Sequence, residues 1–356
     1  MDENNQAHHR RPHYSGRYPK HFNEKYKELN PDRYHDAAAH ILAKGGTPAG
    51  THVPVMVDEI LRFFSIVPGQ KGLDCTLGYG GHTQKMLEKL DGCGHLYSID
   101  ADPIEIKKTT ERLRRLGYDE TIWTPIHDNF RNADKICEKY GPFDFVLADL
   151  GVSSMQIDNP ERGFSWKTDG PLDLRFDPEK GESAAQRLAS LDRDEIEGML
   201  TENSDEPYAA DIARAISKSV RQGAAPQTTG QLREIIMQSV RTSGLSKGLS
   251  GDELKEAQKK SCMRVFQALR IDVNSEFDAL YEFLEKLPGL LVPGGKAAIL
   301  TFHSGEDRLV KKSLRYFERE GLYGEVAKDC IRPSKEECYQ NPRAHSTKLR
   351  WAIRAC

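Results

Sequence analysis

The chain has 356 residues, 38% of them hydrophobic, which is typical of a globular protein of about two domains and argues against a disordered chain. It contains no run of about 18 apolar residues, which argues against a membrane span, and its net charge of −3 argues against a uniformly basic nucleic-acid coat. The seven cysteines include no CxxC pair, so we expect no disulfide framework, no metal and a reducing, cytoplasmic location.

Residues 1–50 differ in composition from the rest of the chain. They hold six of the twelve histidines, together with several arginines, lysines and tyrosines. We predict a partly ordered N-terminal extension, because chain ends are often loosely held. The alternative is an arm that contacts RNA through basic side chains and tyrosine rings.

Strands and helices are predicted to alternate from residue 71 onward. The predicted strands cover residues 73–75, 96–100, 122–126 and 143–150, and the predicted helices cover residues 82–90 and 104–116. The fourth strand is too apolar for a surface edge. This alternation predicts an α/β fold, with a doubly wound, mostly parallel, Rossmann-like sheet covered on both faces.

The alternation stops in the middle of the chain. Residues 159–262 show helical spacing of apolar residues and no convincing strand. After them we predict a helix at 263–287, a turn at Gly294 and Gly295, a strand at 296–302, a helix at 306–320 and a strand at 349–354. We therefore predict one domain formed by residues 51–158 and 263–356, with residues 159–262 as an inserted all-helical domain for RNA recognition.

A glycine-rich turn follows the first predicted strand. The sequence from Asp74 to His82 reads DCTLGYGGH, and Asp100 ends the next strand. Glycines let a ligand approach the backbone, and the later acid accepts hydrogen bonds from ribose hydroxyls. S-adenosylmethionine and NAD both fit this arrangement. The third glycine of GxGxxG is absent, which favours a nucleoside without phosphates.

Two further residues are predicted to lie at the same edge of the sheet, where open α/β sheets bind ligands. Phe130 follows the third strand and is a candidate to face an adenine ring, with core packing as the alternative. Asp149 ends the fourth strand, where burial of an acid is costly unless a partner satisfies it.

Several longer blocks of sequence resemble a known family. They are HVPVMVDE at 52–59, DCTLGYGGH at 74–82, DADP at 100–103, DLGVSSMQ at 149–156, ERGFS at 161–165, DGPLDLR at 169–175, FQALRIDVNSE at 266–276, FHSGEDR at 302–308 and NPR at 341–343. Together they resemble the bacterial 16S ribosomal RNA cytosine-N4 methyltransferase H family. The resemblance runs from about residue 52 to the C-terminus.

The resemblance implies a class I methyltransferase with a helical insertion. It implies that S-adenosylmethionine is the cofactor, that the partner is 16S ribosomal RNA in the small ribosomal subunit, and that the target is N4 of a cytidine in the decoding region. The implied cofactor-binding residues are Gly80, Gly81, His82, Asp100, Phe130, Asp149 and Gln156. The oligomeric state stays open, with a homodimer as one candidate.

Candidates for catalysis and substrate binding follow from the chemistry of an amino nucleophile. Asp149 and Asp173 are candidate acceptors for the amino group, and His303 is a candidate proton acceptor. The candidate substrate-binding residues are Phe164, Trp166 and Arg175, the two aromatic rings by stacking on an unstacked base.

Structural roles remain open for each of these candidates. Asp173 and Arg175 also fit a structural ion pair, His303 a hydrogen-bonded structural residue, and the aromatic pair a hydrophobic hinge. The basic residues at 311, 312, 315, 348, 350 and 354 are candidates to contact phosphate. Two alternative functions also stay open, a nicotinamide-dependent oxidoreductase and a non-catalytic RNA-binding assembly factor.

Overall fold

The computed structural model describes residues 54–356, which form one compact unit. The predicted extension at residues 1–50, with its proposed contact to RNA, lies outside the described residues. Within the described part, no helix is both long enough and apolar enough to cross a membrane.

Seven strands form a single sheet in the order β3-β2-β1-β4-β5-β7-β6. The strands are β1 (Lys71–Asp74), β2 (His95–Asp100), β3 (Trp123–His127), β4 (Phe143–Asp149), β5 (Leu291–Thr301), β6 (Tyr323–Val326) and β7 (Lys348–Arg354). Strands β1 to β5 are parallel, whereas β7 runs antiparallel to both β5 and β6. The predicted α/β class with a mostly parallel, doubly wound sheet is confirmed.

Helices cover both faces of this sheet. The helices before β5 are α1 (Val57–Phe64), α2 (Gly81–Leu90), α3 (Pro103–Arg115), α4 (Ala133–Tyr140), α5 (Ser154–Asp158), α6 (Ala184–Ser190), α7 (Arg193–Ser204), α8 (Ala209–Arg221), α9 (Thr229–Thr242), α10 (Gly251–Asn274) and α11 (Glu276–Leu290). After β5 come α12 (Ser304–Arg319) and α13 (Lys335–Gln340). Apolar residues of α1, α2 and α3 pack on one face, and those of α4, α11 and α12 pack on the other.

Successive side chains of a strand point to opposite faces, and β4 shows the result clearly. Phe145 and Leu147 belong to the cluster beneath α1 to α3. Val146 and Ala148 belong to the cluster beneath α4, α11 and α12. Because both faces are buried here, the strand is apolar from Phe145 to Ala148, in agreement with the prediction that it is no surface edge.

The stretch between β4 and β5 is helical and has its own core. Residues of α6 to α10 share a third cluster, which includes Leu188, Ile196, Ile212, Leu232 and Leu269. The predicted domain limit at residue 262 lies inside α10, a continuous helix of 24 residues. The division into two domains stays a prediction.

The predicted helix at 263–287 is wrong, because two helices occupy this region. Ser275 adopts a left-handed conformation, with φ of 49°, and separates α10 from α11. The predicted turn at Gly294 and Gly295 is also wrong in detail. These two glycines lie within β5, beside a register shift opposite Phe143 and Phe145.

Candidate functional site

Three acidic side chains end neighbouring parallel strands. Asp74 ends β1, Asp100 ends β2 and Asp149 ends β4, and β1 lies between the other two strands. The chain leaves β1 for β2 on one side and returns to β4 on the other. Open parallel sheets bind ligands in the crevice at such a switch point. The candidate site is therefore the carboxyl edge of β1, β2 and β4.

Hydrogen bonds fix the glycine-rich turn after β1. The Gly78 N–H donates to Asp100 Oδ2 at 2.6 Å, and the Thr109 hydroxyl donates to the Gly78 carbonyl at 2.6 Å. The Thr76 N–H donates to Asp74 Oδ1 at 3.1 Å. The turn is thus joined to β1, to the end of β2 and to α3, so the backbone is held in one conformation.

The glycines of this turn have different surroundings. A Cβ on Gly80 would lie 2.7 Å from Thr109 Cγ2, and a Cβ on Gly81 would lie 2.4 Å from Pro54 Cγ. A Cβ on Gly78 would meet no neighbouring atom closer than 3.9 Å. Gly80 and Gly81 therefore permit close packing of α2 against protein, whereas Gly78 has open space. The predicted contact of Gly80 and Gly81 with a cofactor stays a prediction.

Asp100 is held by two backbone groups. Its Oδ2 accepts from Gly78 and its Oδ1 accepts from the Asp102 N–H at 2.8 Å. Burial raises the pKa of Asp100 to about 7, although these two backbone hydrogen bonds lower it. Each carboxylate oxygen retains an accepting lone pair. The side chain is therefore oriented to accept hydrogen bonds from a bound ligand.

Asp149 presents a buried oxygen without a hydrogen-bond partner. Its N–H donates to the Thr76 hydroxyl at 2.7 Å, and its Oδ2 lies 3.5 Å from His82 Nδ1. Its Oδ1 is buried and unpaired. Burial raises the pKa of Asp149 to about 6, although His82 lowers it, while Asp74 and Glu306 raise it further. A buried acceptor without a partner costs free energy, so this oxygen is available to a hydrogen-bond donor of a bound ligand.

His82 lies between the backbone and Asp149. Its Nε2 is 2.9 Å from the Val55 carbonyl oxygen, so Nε2 carries a proton and donates it there. Nδ1 then faces the carboxyl group of Asp149. The His82 ring therefore links the carboxyl end of β4 to the segment before α1.

The sequence matches the MraW methylase family over residues 49–355. The chain belongs to this family. A protein of Agathobacter rectalis is 58% identical over all of both chains and is called ribosomal RNA small subunit methyltransferase H 1. Proteins of Lachnoclostridium phytofermentans and Alkaliphilus metalliredigens are 58% and 57% identical. The two alignments cover 98% and 100% of this chain, and they cover 94% and 100% of the respective relatives.

As a member of the MraW methylase family, the chain is a class I methyltransferase that uses S-adenosylmethionine. The alternative of a nicotinamide-dependent oxidoreductase is wrong. The crevice fits S-adenosylmethionine, which carries a positive sulfonium and two ribose hydroxyls. Asp100 offers acceptors for hydroxyls, Asp149 offers an unpaired carboxylate oxygen, and the open space at Gly78 admits a ligand close to the backbone.

A buried network behind the crevice was not predicted. Asp102 Oδ2 accepts from Arg162 Nη1 at 2.8 Å and from Gln156 Nε2 at 2.7 Å, and the three side chains are buried. Gln156 Oε1 accepts from the Ser153 N–H at 2.8 Å. The amide of Gln156 is thus bound to protein at both ends, and its predicted contact with the cofactor stays a prediction. The Asp-Pro pair at 102–103, a helix-start signal, was the available clue.

The same network reaches the predicted substrate-binding segment. Arg162 Nη2 donates to the carbonyls of Arg175 and Phe176, at 3.0 and 2.9 Å. Asp173 forms a two-point ion pair with Arg175, at 2.9 and 2.7 Å. Burial raises the pKa of Asp173, but the hydrogen bonds from Arg175 outweigh this and lower it. The structural ion pair suggested by the sequence is present, and direct roles of Asp173 and Arg175 stay predictions.

The aromatic candidates occupy unlike positions. The Phe130 ring contacts Phe283 edge-on, with ring centroids 5.5 Å apart, and is half-buried. Phe164 is buried in the helical core and stacks on Phe176 at 5.9 Å. Trp166 is half-buried at the margin of that core. Phe130 and Trp166 thus keep an exposed part for a ligand, which Phe164 lacks.

His303 lies at the end of β5, beside the end of β4. Its Nε2 is 3.0 Å from Glu306 Oε1, and its ring is 5.8 Å from Phe277. Burial raises the pKa of Glu306, but the contact with His303, the charge of Arg270 and the hydrogen bond from the Phe302 N–H together lower it. The structure thus brings His303 and Glu306 to the same edge as Asp149, whose pKa responds to Glu306.

Proposed function

We propose that this methyltransferase transfers a methyl group from S-adenosylmethionine to the exocyclic N4 of a cytidine in the decoding region of 16S ribosomal RNA. The names of the relatives support ribosomal RNA of the small subunit as the substrate. The observation that carries the choice of an amino nucleophile is the unpaired Oδ1 of Asp149. An amino group is a donor that such an acceptor binds.

The lone pair of cytosine N4 is delocalised into the ring, so the nitrogen is a poor nucleophile. When bound, the cofactor supplies an electrophilic methyl group. Asp149 would accept a hydrogen bond from N4 and favour the form whose lone pair is localised on nitrogen. On gaining the methyl group, the nitrogen would have to give up one proton to an acceptor of the protein.

Asp149 is the best-placed acceptor for that proton. Burial raises the pKa of its carboxyl group to about 6, which brings it closer to neutral pH than an ordinary aspartate. The neighbouring His82 ring, 3.5 Å away, stabilises the ionised form before transfer. His303 is a weaker candidate, because its Nε2 already lies 3.0 Å from Glu306 Oε1.

The target cytidine must leave its stack before N4 reaches the donor. We assign Trp166 as the stacking residue in preference to Phe164, because Trp166 is half-buried whereas Phe164 is buried. The ion pair of Asp173 with Arg175 and the carbonyl contacts of Arg162 would hold this segment in place. We further propose that the enzyme works in the cytoplasm on the small subunit, and that a homodimer is one candidate assembly.

The proposal is tested in cells that lack the gene. Digested 16S ribosomal RNA from these cells is analysed by mass spectrometry for N4-methylcytidine, with and without a plasmid copy of the gene. We expect the wild-type copy to restore the modified nucleoside and an Asp149→Ala copy not to restore it. Unchanged N4-methylcytidine in the deletion would exclude the proposed target. Equal restoration by both copies would exclude the proposed role of Asp149 as the acceptor for the amino group.

A further inference from the structure

One face of α12 carries a row of basic side chains. Arg308, Lys311, Lys312, Arg315 and Arg319 follow spacings of three and four residues, which place them on one side of a helix. All except the half-buried Lys311 are exposed, and all five line one surface groove. Within the described residues, none of them forms an ion pair with an acidic side chain.

The opposite side of α12 is the one that packs on the sheet. Glu306, Val310 and Leu314 are buried there. Asp307 is the acidic residue of the groove, and it is neutralised by Lys348 at 2.7 Å and Arg350 at 2.6 Å. These contacts also mean that Lys348 and Arg350, which the sequence suggested as phosphate ligands, already hold a carboxylate. The basic row therefore keeps its full positive charge on the outer side of the helix.

The position of α12 connects this row with the crevice. The helix begins at Ser304, three residues after β5 ends, and the last part of β5 pairs with β4 through Leu300 and Asp149. With 16 residues and a rise of about 1.5 Å per residue, α12 is about 24 Å long. Because a helix that links parallel strands runs back along the sheet, the row starts near the crevice and leads away from it.

We propose that this basic row, defined by Arg308, Lys311, Lys312, Arg315 and Arg319, binds the phosphate backbone of the ribosomal RNA beside the target nucleotide. This inference rests on the proposed function, since it takes the substrate to be RNA. Charge complementarity commits the surface to a polyanion. Because the row starts near the crevice, the RNA chain that carries the target nucleotide is a better match for it than a membrane surface. Exposed Tyr316, four residues after Lys312, flanks the row and offers a ring for base stacking.

The test replaces three exposed members, as Arg308→Gln, Lys312→Gln and Arg315→Gln in one protein. A matched control carries Lys89→Gln, Arg114→Gln and Arg115→Gln, three exposed residues at the ends of α2 and α3 on the other face of the sheet. Both proteins lose three positive charges. A third protein carries Arg308→Lys, Lys312→Arg and Arg315→Lys. It keeps the three positive charges and changes the shapes of the three side chains.

Affinity for unmethylated small ribosomal subunits is measured against salt concentration. We expect the first variant to bind about tenfold or more weakly, and its slope of log affinity against log salt to fall by about two to three. The control and the charge-conserving variant should match the wild type. Affinity for S-adenosylhomocysteine should not change in any variant, and the control variant should keep the wild-type single-turnover rate.

Three outcomes would overturn the inference. They are an unchanged slope in the first variant, an equal loss in the control, and a loss confined to vesicles containing phosphatidylserine with RNA affinity intact. The proposed function fails separately, since it requires the wild type to methylate the subunits. The binding slopes are read without turnover, so failure of one proposal is distinguishable from failure of the other.

Discussion

Arg162 Nη1 lies 2.8 Å from Asp102 Oδ2, and both side chains are almost completely buried. This contact joins the carboxyl end of β2, in the proposed cofactor crevice, to the proposed substrate-binding segment. Asp102 follows the end of β2, where its N–H positions Asp100. Arg162 holds the carbonyls of the segment that contains Arg175. The ion pair therefore sets the position of the proposed substrate-binding segment relative to the crevice at the carboxyl edge of β1, β2 and β4.

We expect Arg162→Met to destabilise the protein by about 3–5 kcal/mol, because removal of one partner leaves the Asp102 carboxylate buried and uncompensated. The free energy of unfolding is measured by denaturant titration. The control is Arg193→Met, which removes an exposed partner of Glu197 and should cost less than about 1 kcal/mol. Equal costs for the two variants would contradict the structural role of the buried pair.

Binding of the methyl donor should depend on pH through Asp100. Burial raises the pKa of Asp100 to about 7, and the ionised form is the one that accepts hydrogen bonds from ribose hydroxyls. Affinity for S-adenosylhomocysteine should therefore rise as pH increases from about 6 to 8, with release of a proton on binding. Calorimetry in buffers of different ionisation enthalpy detects that proton. Asp100→Asn should bind weakly and without this pH dependence, whereas the exposed Asp91→Asn should match the wild type.

The same residue affects stability with a defined sign. The folded pKa lies above the ordinary value of 3.8, so the folded state binds the proton more tightly than the unfolded chain. The stabilising contribution is complete below about pH 4 and is lost as pH rises through about 7. Without ligand, the free energy of unfolding of the wild type should fall between about pH 4 and pH 7. In Asp100→Asn this fall should be smaller. A decline of unchanged size would contradict the raised pKa.

Gly80 should matter for folding more than for ligand affinity. It has φ of 75°, and an added Cβ would lie 2.7 Å from Thr109 Cγ2. We expect Gly80→Ala to cost about 1–3 kcal/mol of unfolding free energy. Thr109→Ser removes the clashing methyl and keeps the hydroxyl that bonds the Gly78 carbonyl. The double variant should therefore recover part of the loss.

The contrasting variant is Gly78→Ala, whose Cβ would enter open space at the crevice. It should weaken binding of S-adenosylhomocysteine more than Gly80→Ala does when both are folded. Calorimetric titration compares the two affinities. If Gly80→Ala binds S-adenosylhomocysteine more weakly than Gly78→Ala does, the ligand does not occupy the open space at Gly78.

The parallel sheet could be predicted because strands and helices alternate along the chain, and because β4 is apolar and buried from Phe145 to Ala148. Strand β6 was missed because it has four residues, of which only Tyr323 and Val326 are buried. The break between α10 and α11 was missed for another reason. Helical spacing of apolar residues continues across Ser275, and a serine gives no signal of its left-handed conformation.

Part of the candidate site could also be predicted, since Asp100 and Asp149 were expected to end the second and fourth strands. The structure confirms those strand ends and adds the unpaired oxygen of Asp149. The buried pair of Asp102 and Arg162 could not be found in this way. Sixty residues separate its members, and no local pattern indicates which arginine meets which acid.

We propose that the protein methylates N4 of a cytidine in small-subunit ribosomal RNA, with this nitrogen bound beside Asp149. The most direct measurement incubates the purified protein with small subunits from cells lacking the gene and a donor that carries an isotopic label in its methyl group. Nucleoside mass spectrometry then locates the label. We predict labelled N4-methylcytidine from the wild type and a rate at least about 100-fold lower from Asp149→Ala. Label in another nucleoside, or none from a wild-type protein that binds S-adenosylhomocysteine, would contradict the account.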